Sequence, residues 1–122
     1  MLRFSDDFDW GIASSAYQIE GGWDADGKGP SIWDSFCKSG TIAGGGCGDV
    51  CCDHYHRWPE DIQLISNLGV KSYRLSMAWS RVLPEGTGQI NEKGLDFYEK
   101  VVEALLKAGV EPIINLHHYD LP

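Results

Sequence analysis

The stretch WPEDIQLISNLGVKSYRLSMAW, Trp58 to Trp79, changes its hydrophobic period partway along. Up to Leu68 the apolar residues Trp58, Ile62, Ile65 and Leu68 recur in steps of four, three and three, which gathers them on one face of a helix. Pro59 suits the first turn of such a helix and Gly69 the position just past its end. From Val70 to Trp79 the pattern alternates: Tyr73, Leu75 and Met77 fall on one face, Arg74, Ser76 and Ala78 on the other, which is a strand pattern.

Working outward in both directions, the same switch recurs. Towards the N-terminus, FDWGIASSAYQ (Phe8 to Gln18) is a short apolar run of small residues that predicts a buried strand, and IEGGWDADGKGPS after it reads as a long loop. Ser31 is placed to cap a short helix over residues 31–39, before a second glycine-rich loop, GTIAGGGCGD. Towards the C-terminus, SRVLPEGTGQ predicts a loop and Asn91 the cap of a second long helix with apolar positions at Leu95, Tyr98, Val102 and Leu105. Asp96 with Lys100 and Glu103 with Lys107 are spaced for ion pairs along that helix. Gly109 ends it, and VEPIINL makes a third strand. The order strand, loop, helix, strand, helix, strand implies parallel strands joined by crossover helices, hence an α/β sheet or barrel.

A chain of 122 residues holds one domain with a real core, and 43% hydrophobic with 23% charged residues is globular composition. The formal net charge of -8, with the ten basic residues scattered, disfavours a nucleic-acid partner. No apolar run approaches the ~20 residues that span a bilayer, and MLRFSDDFDW carries acids where a secretion signal needs a basic end and an apolar stretch. The expectation is a cytoplasmic protein without a membrane partner. Trp10, Trp23 and Trp33 stand beside acids, as aromatic faces for sugar rings do, although core packing is the better reading of each tryptophan taken singly.

In α/β folds functional groups gather at the carboxyl ends of the strands. Those ends are YQIEGG, RLSMAWSR and HHYDLP. Gln18 can hold two neighbouring hydroxyls of a sugar, or simply bond loop backbone. Arg74, inside a strand, demands a carboxylate partner, because an unpaired buried cation costs several kcal/mol. If the third strand continues, His117 and His118 point to opposite faces, and Tyr119 and Asp120 are free to join a polar network or to form a turn. A competing reading comes from CGDVCCDHYH, where Cys47, Cys51, Cys52, His54 and His56 are zinc-ligand types. Their spacing is too tight for the usual two-pair site, and the start of a helix explains the stretch better; Cys37, Cys47, Cys51 and Cys52 are expected to stay reduced in a cytoplasmic setting.

Three segments, FDWGIASSAYQIEGGWDADGKGPSIWDSF, GDVCCDHYHRWPEDIQLISNLGVKSYRLSMAWSRVLPEG and LHHYDLP, together resemble the opening third of a family 1 glycoside hydrolase, the β-glucosidase family. The resemblance implies a (β/α)8 TIM barrel of which residues 1–122 supply about the first three strands and two helices, as the incomplete N-terminal part of a single domain. It implies retaining hydrolysis of a β-glycoside substrate by two carboxylates about 5–5.5 Å apart, with no cofactor and no metal. The family's glutamates lie in Asn-Glu-Pro and Glu-Asn-Gly-type motifs, neither of which occurs here. The isolated chain is therefore expected to be inactive, its partner being the remainder of its own barrel. By resemblance Gln18 and His118 bind glycone hydroxyls, Tyr119 stands where the family usually has tryptophan, and Arg74 contacts the nucleophile. A relative that has lost its glutamates and serves as a binding component is the alternative.

Overall fold

The computed structural model describes residues 3–122; Met1 and Leu2, the start of the MLRFSDDFDW stretch considered above, lie outside the described residues. Three parallel strands, β1 (Gly11–Ala13), β2 (Ser72–Ser76) and β3 (Glu111–Asn115), form a sheet in the order β1-β2-β3. Gly11 faces Ser72 and Ala13 faces Arg74 across the first pair; Ser72 faces Glu111 and Ser76 faces Asn115 across the second. Five helices accompany the strands: α1 (Ala16–Ile19), α2 (Ile32–Lys38), α3 (His54–Asn67), α4 (Trp79–Val82) and α5 (Glu92–Lys107). The two long ones, α3 and α5, are the crossovers, which is the architecture of the first units of a (β/α)8 barrel.

The core lies between the sheet and the crossover helices. Tyr73 and Leu75 of β2 pack with Ile62 and Ile65 of α3, with Phe97, Tyr98, Val101 and Leu105 of α5, and with Val110 at the approach to β3. Tyr73 and Leu75 alternate along β2 as the period-2 pattern has them, and their burial shows that their face packs on the core. Met77, last in that series, is only partly buried.

Boundaries moved where the local signal was weak. The first strand is three residues long rather than the whole of Phe8 to Gln18, because α1 begins at Ala16 and carries Gln18 within it. Helix α3 starts at His54, so Pro59 sits inside it rather than in its first turn. The loop SRVLPEGTGQ contains the single turn of α4. On α5 the buried face is Phe97, Tyr98, Val101 and Leu105, whereas Leu95 remains 39% exposed. Leu95 and Val102 instead line a groove of about 400 Å³ with Leu75, Met77, Tyr98, Glu99 and Ile114. The expected Asp96–Lys100 and Glu103–Lys107 pairs are absent from the ion pairs among the described residues, consistent with the small worth of exposed helical pairs.

Two helix starts also differ in their caps. Ser31 accepts from the Asp34 amide, and the Asp34 carboxylate accepts from the Ser31 amide in return, a complete capping box on α2. Asn91 occupies the cap position of α5 but does not cap it: its Nδ2 donates to the carbonyls of Asp26 (3.0 Å) and Arg81 (2.9 Å), tying two distant loops together. Of the tryptophans, Trp58 packs against the core, whereas Trp10 and Trp33 do not join it. Trp10 is exposed and packs with Phe4 and Phe8 at ring separations of 4.8 and 5.0 Å, and Trp33 is exposed at the strand-end face described next. No helix among the described residues is long and apolar enough to cross a membrane.

Candidate functional site

All three strands deliver their carboxyl ends to one face, where backbone and hydroxyl bonds lace them together. The Ser14 amide donates to the Arg74 carbonyl at 2.9 Å, the Ala16 amide to Ser76 Oγ at 2.8 Å, and the Met77 amide to the Asn115 carbonyl at 3.0 Å. Ser14 and Tyr73 also share a hydroxyl hydrogen bond. One turn further out, Ser15 Oγ donates to the Tyr119 phenol at 2.9 Å, joining the end of β1 to the segment after β3.

The second wall comes from α2, which the loop after β1 carries round to residues 119–121. The Ile32 amide donates to the Leu121 carbonyl at 2.7 Å, the Trp33 amide to the Asp120 carboxylate at 3.4 Å, and the Trp33 ring meets Tyr119 edge-on at 6.0 Å. Burial pushes the Asp120 carboxyl above its ordinary value, opposed by hydrogen bonds from Ser31 and the Trp33 amide. A buried Lys28–Asp34 pair at 2.8 Å holds the loop ahead of α2.

Of the residues singled out from the sequence, Arg74 and Tyr119 bond groups at this face, Asn115 and Ser15, while Gln18 and His118 are exposed on the segments that follow β1 and β3. Gln18 lies on α1 with an exposed side chain that has no hydrogen-bond partner among the described residues. Arg74 is half-buried, and no carboxylate pairs with it among the described residues. In the orientation of the Asn115 carboxamide that satisfies its neighbours, its oxygen accepts from Arg74 Nη2 at 2.7 Å and its nitrogen donates to the His117 carbonyl at 2.8 Å. The strand alternation expected for the histidines does not apply, because β3 ends at Asn115 and both His117 and His118 are exposed. The His118 ring stands 5.0 Å from Tyr119.

The buried arginine with a carboxylate partner turns out to be Arg81, which sequence reading left in a loop. Its side chain is 1% exposed; Nε donates to Glu20 Oε2 at 3.0 Å, and Nη2 donates to the carbonyls of Gly21 and Gly22. The guanidinium lies 4.1 Å above the Tyr55 ring. Tyr98 donates to the other oxygen of Glu20 at 2.6 Å and accepts from the Ala78 amide at 2.6 Å; burial, together with the charge of Glu20, holds its phenol far above the ordinary value. The available signal was composition: an arginine next to a tryptophan and serine in a loop that begins at a strand end.

The histidines and cysteines do not converge. His54 pairs with Asp61 at 2.7 Å and His56 with Asp53 at 2.6 Å, while Cys37 hydrogen-bonds the Tyr17 phenol and the Cys51 thiol donates to the Tyr17 carbonyl. Among the described residues no three His, Cys, Asp or Glu side chains are placed to hold a metal ion, and the four cysteines are free thiols.

The segments at the strand ends therefore carry an exposed carboxamide (Gln18), a half-buried cation (Arg74), an exposed imidazole (His118) and aromatic edges. The family model of glycosyl hydrolase family 1 matches residues 1–122. The chain belongs to glycosyl hydrolase family 1. Within that family it is 55% identical over 122 residues to β-glucosidase A of Acetivibrio thermocellus, covering 99% of this chain and 27% of that protein. It is 52% identical to β-glucosidase A of Thermotoga maritima, again over 27% of that protein's length. The solved β-glucosidase from Thermotoga maritima in complex with castanospermine superposes with a TM-score of 0.93 over 98% of this chain and 27% of that one. This family 1 chain thus spans about a quarter of the length of the relatives it matches.

Proposed function

We propose that residues 1–122 are the opening part of a single family 1 barrel domain that hydrolyses terminal β-glycosides with retention of configuration, and that this part holds the glycone. The observation that supports the reading is the family match over the whole chain, at an identity of 55% to a β-glucosidase. Gln18 and His118 bind sugar hydroxyls, Tyr119 presents an aromatic face to the ring, and Arg74 steadies the charge of a nucleophilic carboxylate supplied by the remainder of the domain. The uncharged, exposed Gln18 carboxamide suits neighbouring hydroxyls, and the half-buried Arg74 without an acid among the described residues suits a carboxylate arriving from elsewhere.

The test is made on the longer protein that contains this chain. It should hydrolyse an aryl β-glucoside, release the β-anomer first, and lose roughly 10- to 100-fold in kcat/KM on Gln18→Ala, the effect of removing one or two hydrogen bonds to substrate. No hydrolysis, or a barrel in which either glutamate motif is replaced, would leave a binding protein in place of a hydrolase. Unchanged kinetics in Gln18→Ala would refute the subsite assignment.

A further inference from the structure

We infer that Glu20, Arg81 and Tyr98 are positioning residues that set the place of the Gln18 carboxamide; the inference rests on the glycone reading above. Gln18 rides on α1, a single turn of four residues whose N-cap serine makes no side-chain cap. A turn this short has no stability of its own in water. Besides the Ala16 amide bonded to Ser76 Oγ, what locates it is the residue that closes it, Glu20, which is 4% exposed and held from three elements at once.

From α4, Arg81 Nε donates to Glu20 Oε2 at 3.0 Å. From α5, the Tyr98 phenol donates to Glu20 Oε1 at 2.6 Å. From α3, the Tyr55 amide donates to the Glu20 carbonyl at 2.9 Å. The chain then leaves through Gly21 and Gly22 in left-handed conformations, with φ of 62° and 52°, and both carbonyls turn back onto Arg81 Nη2. A Cβ at Gly21 would collide with the Val50 carbonyl, and one at Gly22 with the Tyr55 ring. Only glycine closes the loop here.

A buried ion pair is poor evidence of stability for its own sake, because desolvation of both charges consumes most of their attraction. Its effect is geometric: Glu20 is fixed relative to both crossover helices, and Gln18, two residues earlier on the same turn, is fixed with it. A displacement of about 1 Å in a group that binds substrate can cost ~100-fold in rate. The sheet holds the start of the turn, where the Ala16 amide donates to Ser76 Oγ at 2.8 Å; its end, beyond Gln18, is held through Glu20.

The experiment is a double-mutant cycle in the full-length protein, pairing Tyr98→Phe with Gln18→Ala and reading kcat/KM on a β-glucoside and on glucosides lacking single hydroxyls. Tyr98→Phe keeps the ring and removes only the hydroxyl that reaches Glu20. It should lower kcat/KM about 3- to 10-fold, mainly for substrates that keep the hydroxyls Gln18 binds, and the loss should fall below about twofold in the Gln18→Ala background. Glu20→Gln, which keeps an amide oxygen for Tyr98, is the second variant if Tyr98→Phe does not fold, and it should couple to Gln18→Ala in the same way. Wild-type kinetics in both variants, or equal losses with and without Gln18, would overturn the inference while leaving the glycone reading intact. Gln18→Ala without effect would remove both.

Discussion

Arg74 on β2 and Arg81 on α4, seven residues apart in the sequence, meet opposite electrostatic conditions. Arg81 has its carboxylate within the chain, a carbonyl pair and an aromatic face, so its charge is spent on the fold. Arg74 has a carboxamide oxygen and partial access to the strand-end face, so its charge stays available to a group arriving there. Replacing Arg74 by Met in the full-length protein should therefore cost turnover and not stability, by roughly 10- to 1000-fold. The sign follows from charge: without the cation, the nucleophilic carboxylate is less acidic, so the acidic limb of the pH–rate profile should move up by about 1–3 pH units. A profile with an unmoved acidic limb would count against the assignment. The sequence argument that a strand arginine needs an acid was sound in principle, but of these two arginines it is Arg81 that has the acid within the described residues.

At the scale of elements, segments with a clear period or cap were legible, the short helix α2 behind Ser31 among them, and boundaries without such a signal were not. Helix α3 was recognised from Trp58 onward because Ile62 and Ile65 face β2. Its first four residues, His54 to Arg57, carry no apolar period; they are held by contacts far away in the chain, among them the Tyr55 ring packed 4.7 Å from Phe97. Pro59 consequently falls inside the helix, where it withdraws one hydrogen bond from the Tyr55 carbonyl. Helix α5 was legible in period but not in phase, since its apolar stripe is wider than the face that β2 covers. Helices α4 and α5 approach closely at Gly94, where a Cβ would collide with the Arg81 carbonyl. Gly94→Ala should destabilise the full-length protein by about 1–3 kcal/mol, the cost of overpacking outweighing the ~1 kcal/mol gain in helix propensity. A urea midpoint equal to that of the wild type would show that α4 and α5 can move apart.

The whole molecule is a sheet with two edges and an outer apolar surface. Leu68 is 67% exposed and Leu116 is 66% exposed, Ile113 and Ile114 of β3 are exposed, and the groove between β2, β3 and α5 is open. In a complete barrel such edges pair with further strands and such faces carry further helices. A polypeptide restricted to residues 1–122 should accordingly self-associate and bind a hydrophobic dye, and should hydrolyse no β-glucoside, since neither glutamate motif of the family occurs in it. A monodisperse monomer by sedimentation that turns over substrate would contradict the division of binding and chemistry along the chain.

The sequence by itself determined the alternation of strands and helices, the period-2 pattern of β2, Ser31 as the cap of α2 and membership of a glycosidase family. Each of these is written in spacings of a few residues, or in long ordered motifs. The tertiary structure alone decided that Glu20 belongs to Arg81 and Tyr98, at sequence separations of 61 and 78 residues, and that Asn91 ties loops instead of capping a helix. Local periodicity does not encode pairings at that distance. They arise when parallel strands bring their carboxyl ends to one face and burial forces every charge left there to find a partner.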